Sequence, residues 1–253
     1  MPPIAIALIV FACAFGGALA GIFLRSALPE DHLSDESKEI VHLGMGLIAT
    51  MTALVLGLMT SSAKSSFDMQ DMALKQSAAD ILTLDRLLSQ YGSETKQVRA
   101  LIRRSVAHKL DAVWPEERSQ SARPDTPDTT PMIDGIENQI LRLSPRDDAQ
   151  YWLQSRALKL GEEVMQTRWL VLAGSDEPIQ LPFVIAVAFW LTVIFASFGL
   201  FAPRNGTVIA VLFVCAVSVA SSTFLILEMD NAYDGLMKVS SEPLRYTLSH
   251  LAK

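Results

Sequence analysis

The chain has 253 residues, half of them hydrophobic, and a formal net charge of −6 at neutral pH. An acidic balance of this kind lacks the basic footprint that nucleic acid requires, so no nucleic-acid partner is expected. Two cysteines, both inside apolar runs, exclude a disulfide framework.

Four apolar runs organise the sequence: Ile4 to Leu24, Val41 to Ala63, Leu181 to Ala202 and Thr207 to Leu227. None contains Asp, Glu, Lys or Arg. Each has about 20 residues, and at 1.5 Å per residue that length crosses the roughly 30 Å hydrocarbon core of a bilayer. Four transmembrane helices are therefore expected. Ala18-Leu19-Ala20 in the first run resembles a signal-peptidase site, but Met1-Pro2-Pro3 lacks a basic flank, so a retained helix is expected. That run carries a small-residue row, Ala12, Gly16 and Ala20, beside a G-x-x-x-G at Gly17 and Gly21; both are assigned to helix packing. The connection Ser26 to Ile40 holds five carboxylates.

The second run does not stop at the membrane surface. No Gly or Pro follows Gly57 until Gly92, so one helix is expected to leave the apolar phase and continue into water. Residues 64–180 differ in composition and hold 15 of the 21 basic residues. Gly92 stops the long helix. Ser93 is expected to cap the next one, with Val98, Leu101, Ile102, Val106, Leu110 and Val113 on one face. Trp114 to Pro131, with four prolines, reads as a linker or loop. Ser144-Pro145, followed by Asp147 and Asp148, has the form of an N-cap with Pro in the first helical position. Leu153, Ala157, Leu160, Val164 and Val171 then follow at helical spacing, before Ala173 to Pro178 end that helix. After the fourth run, Ser241 is expected to cap a short helix that docks Leu244, Leu248 and Leu251 on the aqueous domain.

The fold class is thus all-α: four membrane helices in two pairs, with a helical extramembrane layer between spans 2 and 3. The expected divisions are 1–63, 64–180, 181–227 and 228–253. Basic residues near the membrane ends are Lys64, Lys75, Arg168, Lys238 and Arg245 on the side of the termini, against Arg25, Lys38 and Arg204 opposite. The excess places both termini and the domain in the cytosol.

Chemistry is sparse. His32, His42, His108 and His250 lack metal-ligand spacing, and no phosphate-binding loop or nucleophile motif occurs. No enzyme activity, cofactor or metal is expected. Cys13 and Cys215 read as small packing residues. The runs also lack the intramembrane carboxylate or basic group typical of ion-coupled transporters. A pore lined by hydroxyls, backbone and apolar groups, gated by a hydrophobic constriction, stays open. The second run suits it. Gly46, Thr50, Ala53, Gly57 and Ser61 form a small or hydroxylated stripe, either a close helix contact or a wetted surface. Thr50, Leu54 and Leu58 form an adjoining row four residues apart.

"LVLGLMTSSAKSSFD" (Leu54 to Asp68) and "EMDNAYDGLMKVSSEPLRYTL" (Glu228 to Leu248) are similar to segments of the bacterial DUF4239 family, described as bestrophin-like. The order of two spans, helical domain, two spans and short tail resembles it as well. More distantly, "ALVLGL" (Ala53 to Leu58) resembles the neck of the bestrophin ion channels, whose second helix lines a pentameric pore. The resemblance implies neck positions at Thr50, Leu54 and Leu58, with Gly57 and Ser61 on the same helix. It implies a homo-oligomer, a pentamer by analogy, in contact with membrane lipid and inorganic ions in a bacterial inner membrane. The Arg-Trp-Trp that often follows in bestrophins is absent; Ser66, Phe67 and Asp68 stand there. Glu228, Asp230 and Asp234 occupy a place comparable to the acidic calcium clasp of animal bestrophins, or are solvated carboxylates at a membrane boundary. Two functions follow: an oligomeric ion channel, or a non-conducting membrane scaffold or sensor whose helical domain binds a partner.

Overall fold

The computed structural model describes residues 2–27, 35–115, 130–175, 181–203, 205–230, 232–233 and 235–251, with side chains for all of these except 35–37, 130–134, 170–175 and 181. The elements are α1 (Pro3–Leu24), α2 (Asp35–Tyr91), a 3₁₀ turn (Ser93–Thr95), α3 (Lys96–Val113), α4 (Thr130–Leu141), α5 (Asp148–Ser175), α6 (Leu181–Phe201), α7 (Gly206–Asp230) and α8 (Glu242–His250). Among the described residues there is no strand, as the all-α reading requires. The four apolar runs coincide with α1, the first part of α2, α6 and α7, each long and apolar enough to cross a bilayer. The chain forms two compact units. One comprises Met1–Phe67 and Glu177–Met237, the other Asp68–Asp176 and Lys238–Lys253, and α2 runs through both.

In the apolar unit, α1 packs against α6 in parallel. Gly17 faces Thr192, Gly21 faces Ala196 and Leu200, and Gly199 faces the backbone of Ala18. At the far end the Arg25 guanidinium donates to the Ala202 carbonyl. Glycines at these points bring two backbones together, which gains dispersion contact that lipid-facing side chains cannot supply. The contact continues through Val10, Ala14, Ala18, Val187, Leu191 and Phe195. The T-shaped rings of Phe11 and Phe15 around Phe213 join α1 to α7. Half of the packing expectation for α1 holds. Gly17 and Gly21 are buried at the contact, but Ala12, Gly16 and Ala20 are exposed, and a Cβ on Gly16 would meet nothing within 4 Å. The two rows lie on different faces, and only one is turned toward α6. Cys13 and Cys215, expected as packing residues, are likewise exposed.

In the polar unit, α2 buries or half-buries Gln70, Leu74, Ser77, Ile81, Leu84, Leu88 and Tyr91. Their alternating spacing of four and three is that of a helix meeting neighbours at shallow crossing angles. Gly92 adopts φ 137°, a conformation that ends the helix and that residues with a Cβ rarely adopt. The next helix begins differently from expectation. Ser93 opens a 3₁₀ turn, and α3 starts only at Lys96. The Thr95 hydroxyl donates back to the carbonyls of Leu88 (2.5 Å) and Gly92 (2.8 Å), so it serves the free carbonyls of α2. Val98, Ile102, Val106 and Leu110 are buried as expected. Arg99 forms a bidentate pair with Asp85, Nε to Oδ1 at 2.7 Å and Nη2 to Oδ2 at 2.9 Å, which clamps α3 to α2 and raises the guanidinium pKa.

Most of the proline-rich segment 114–131 lies outside the described residues. After it, α4 was not expected; its signal is the spacing of Ile136 and Ile140, the latter buried. The cap of α5 also differs from expectation. Asp147, not Ser144, accepts the Gln150 N–H at 2.7 Å, and the Gln150 side chain accepts the Arg146 N–H at 2.8 Å. Asp147 directly precedes α5, so its carboxylate reaches the free N–H of the third helical residue, for which Ser144 lies too far back. Gln150 also donates to the Tyr91 carbonyl (3.0 Å), tying α5 to the end of α2.

The C-terminal helix docks as expected. Leu244 and Leu251 are buried, Thr247 donates to the Ala78 carbonyl (3.2 Å), and the Trp114 indole donates to the Val239 carbonyl (3.0 Å). The Ser241 hydroxyl makes no backbone cap; it accepts from Arg245 Nε at 3.0 Å. Burial also shifts ionisable groups of this unit. Burial, with the Glu163 carboxylate adding to it, raises the Asp80 pKa against the opposing hydrogen bond from Gln76. Burial, with the Arg168 guanidinium adding to it, lowers the Lys109 pKa.

Candidate functional site

Within the apolar unit, the membrane segment of α2 has two unlike faces. Met45, Ile48, Thr52, Val55, Leu56, Met59 and Ala63 are buried or half-buried, and the last four pack with a core that includes Leu212, Ile226 and Leu227. At 3.6 residues per turn, the opposite face carries Thr50, Leu54, Gly57, Leu58 and Ser61. All five are exposed, Leu54 to 66% and Leu58 to 63%. Gly46 and Ala53 are exposed as well, and a Cβ on Gly46 or Gly57 would meet nothing within 4 Å. The expected row is therefore one continuous surface, and it is not a packed core of this chain. Leu43 and Leu47 extend it toward the start of α2, both exposed. Their spacing from Thr50, seven and three residues, was the signal for including them.

The asymmetry among the spans is large. Only 6% of the most apolar stretch of α2 is buried inside the chain, against 33% in α1, 39% in α6 and 28% in α7. Three hydroxyls of this segment bond to their own helix. Thr50 Oγ1 donates to the Gly46 carbonyl at 2.8 Å, Thr52 to Ile48 at 2.7 Å and Thr60 to Leu56 at 2.7 Å. A hydroxyl bonded to the preceding turn needs no water, so Thr50 tolerates both wet and dry surroundings. At the start of α2, His42 lies edge-on to the Phe201 ring with centroids 5.6 Å apart.

Two of the three carboxylates near the end of the fourth span are described. Glu228 and Asp230 are two residues apart on α7, a spacing that points side chains to different sides of a helix. Glu228 is 3% exposed and its Oε1 accepts the Leu236 N–H; Asp230 is half-buried, and Asp234 lies outside the described residues. Among the described residues no three of His, Cys, Asp and Glu converge as metal ligands would. Neither Glu228 nor the Leu236 backbone stood out in the sequence as partners, since nothing in spacing alone predicts a turn that folds back on a side chain.

No curated protein and no solved structure matches the chain. A profile of the Bestrophin-like domain matches residues 12–244, which takes in nearly all of the described structure, from the third turn of α1 to the first turn of α8. The match and the four bilayer-length helices lead to one assignment: the chain belongs to the Bestrophin-like domain family and is a multi-pass membrane protein.

Proposed function

We propose that the protein is an oligomeric ion channel in which copies of α2 surround a central pore lined by Thr50, Leu54, Gly57, Leu58 and Ser61. The observation that carries this reading is the outward face of α2, the span least covered by its own chain and the one that bears the whole small, hydroxylated and leucine row. From Thr50 to Leu58 the row rises about 12 Å, enough for stacked rings of Thr, Leu and Leu. Rings of leucine form a constriction that sheds water, and a constriction of that kind gates without a charged filter. The Thr50 hydroxyl, bonded to its own helix, leaves no unsatisfied donor when the ring is dry. Bestrophin-like membership favours an assembly of several copies, with five as the number the bestrophin analogy suggests. The basic-residue excess favours a cytosolic polar unit with both termini inside.

The experiment is ion flux from liposomes holding the purified protein, read together with its mass in mild detergent. A homo-oligomer that releases ions supports the channel. A strictly monomeric protein, or an oligomer with flux at the level of empty liposomes, favours the membrane scaffold or sensor.

A further inference from the structure

We propose that the segment Gly235–Met237 is a lipid anchor, folded back by Glu228 so that Leu236 enters the acyl boundary of the bilayer at the end of the fourth span. The starting observation is an anomaly at the last turn of α7. Glu228 is nearly fully buried, and it sits at the negative end of a helix dipole. A polar side chain buried there needs a hydrogen-bond donor to meet it. The backbone beyond the helix supplies one: the Leu236 N–H donates to Glu228 Oε1. Gly235 makes this possible in two ways. Its φ of 110° is closed to most side chains, and a Cβ there would collide with the Glu228 carboxylate, whose Cδ would lie 2.7 Å away. A glycine and a carboxylate seven residues apart thus close a turn around the helix end.

The consequence is a depth. Leu236 follows the end of α7, but the bond to Glu228 returns its backbone to within a side chain's length of the Glu228 backbone, one residue past Leu227, where the uncharged run ends. There Leu236 is 84% exposed, the most exposed large hydrophobic residue among those described, and Met237 beside it is exposed too. Ala232, on the same turn, is buried, so the turn is seated on the protein while its two apolar side chains are directed away. An apolar side chain fixed outward at the boundary of a membrane-crossing helix meets lipid, and continuity with α7 identifies the occupant. Interfacial anchors of this sort bury apolar groups a short distance below the headgroups. The inference is independent of conduction and of the number of copies.

The test uses the full chain with Cys13 and Cys215 replaced by alanine and one cysteine introduced as Leu236→Cys, labelled with an environment-sensitive nitrobenzoxadiazole dye. The protein is reconstituted in vesicles of phosphatidylcholine and phosphatidylglycerol. A label at Ser240→Cys, an exposed position four residues on, is the aqueous reference. The expected result at 236 is a blue-shifted emission, loss of intensity with lipids spin-labelled high on the acyl chain, and protection from iodide; the label at 240 shows the reverse. Glu228→Ala releases the turn, and the 236 label then shifts toward the 240 behaviour. Should Glu228→Ala fail to fold, Gly235→Val disturbs the same contact from the loop side. Iodide quenching at 236 in the otherwise unaltered chain overturns the proposal, as does a label reached by neither quencher, which places protein over Leu236. Lipid quenching that survives both Glu228→Ala and Gly235→Val removes Glu228 from the anchor.

Discussion

Substituting the glycines of α1 and α6 one at a time measures how closely these helices approach. A Cβ on Gly21 would overlap the Ala196 carbonyl oxygen and lie 2.8 Å from the Leu200 nitrogen. Backbone atoms cannot swing aside, so the helices must separate by about 1 Å merely to relieve the overlap to the tight limit of real contacts near 3.0 Å. A gap of that size forfeits about a quarter to a half of each atomic attraction across it. With on the order of 50 contacts of roughly 0.15 kcal/mol in the adjoining half of the interface, the loss is about 2–4 kcal/mol. The better helix propensity of alanine returns about 0.5–1 kcal/mol, leaving a net destabilisation of roughly 1–3 kcal/mol for Gly21→Ala. Gly199→Ala, which would overlap the Ala18 carbonyl, should behave alike. Gly17→Ala should fall between, since its Cβ would stand 2.8 Å from the Thr192 oxygen and 3.1 Å from a movable methyl. Gly16→Ala meets open space and should be neutral or slightly stabilising. Reversible unfolding by dodecyl sulfate in mixed micelles, followed by circular dichroism, ranks the four variants. If Gly21→Ala and Gly16→Ala unfold at the same detergent fraction, the parallel α1–α6 contact is wrong.

Leu54→Ala with Leu58→Ala should raise ion flux from liposomes while the oligomer stays assembled. Because both leucines are mostly exposed in the single chain, its stability should drop by less than the about 2–5 kcal/mol typical of a buried Leu→Ala, and unchanged flux from a well-folded double variant removes them from the pore. The raised pKa of Asp80 means that the folded chain holds its proton more tightly than the unfolded one, so its contribution to stability declines as pH rises from the ordinary value near 3.8 through the folded one. Asp80→Asn, which keeps an acceptor for Gln76, should therefore stabilise the polar unit at neutral pH and flatten that part of its stability-versus-pH curve; an unchanged thermal midpoint at pH 7 contradicts the assigned cause. Ser155→Cys, exposed on α5, should resist membrane-impermeant maleimide in intact cells and react after permeabilisation, and free reaction from outside inverts the proposed orientation.

Length and charge sufficed to locate the four spans in the sequence, because some twenty residues without a charge have one stable disposition in a bilayer-forming cell. The unbroken passage of α2 from Asp35 to Tyr91 and its stop at Gly92 were legible for a related reason: backbone-breaking residues are few and local. In the polar unit, water on one side and a core on the other wrote a periodic pattern into α3, and Val98, Ile102, Val106 and Leu110 could be read from it. The caps of α3 and α5 could not, since Ser93, Thr95, Ser144 and Asp147 all have suitable oxygens and only backbone geometry selects among them. Inside the membrane the same limit is sharper. Ala12, Gly16 and Ala20 look as fit for packing as Gly17 and Gly21, yet only the second pair meets α6. Likewise Thr50, Leu54 and Leu58 differ little in composition from the face of α2 that is covered. Lipid and protein interior are about equally apolar, so a spanning helix carries little hydrophobic gradient to distinguish inside from outside, and the choice of face falls to shape, which exists only once the helices are placed together.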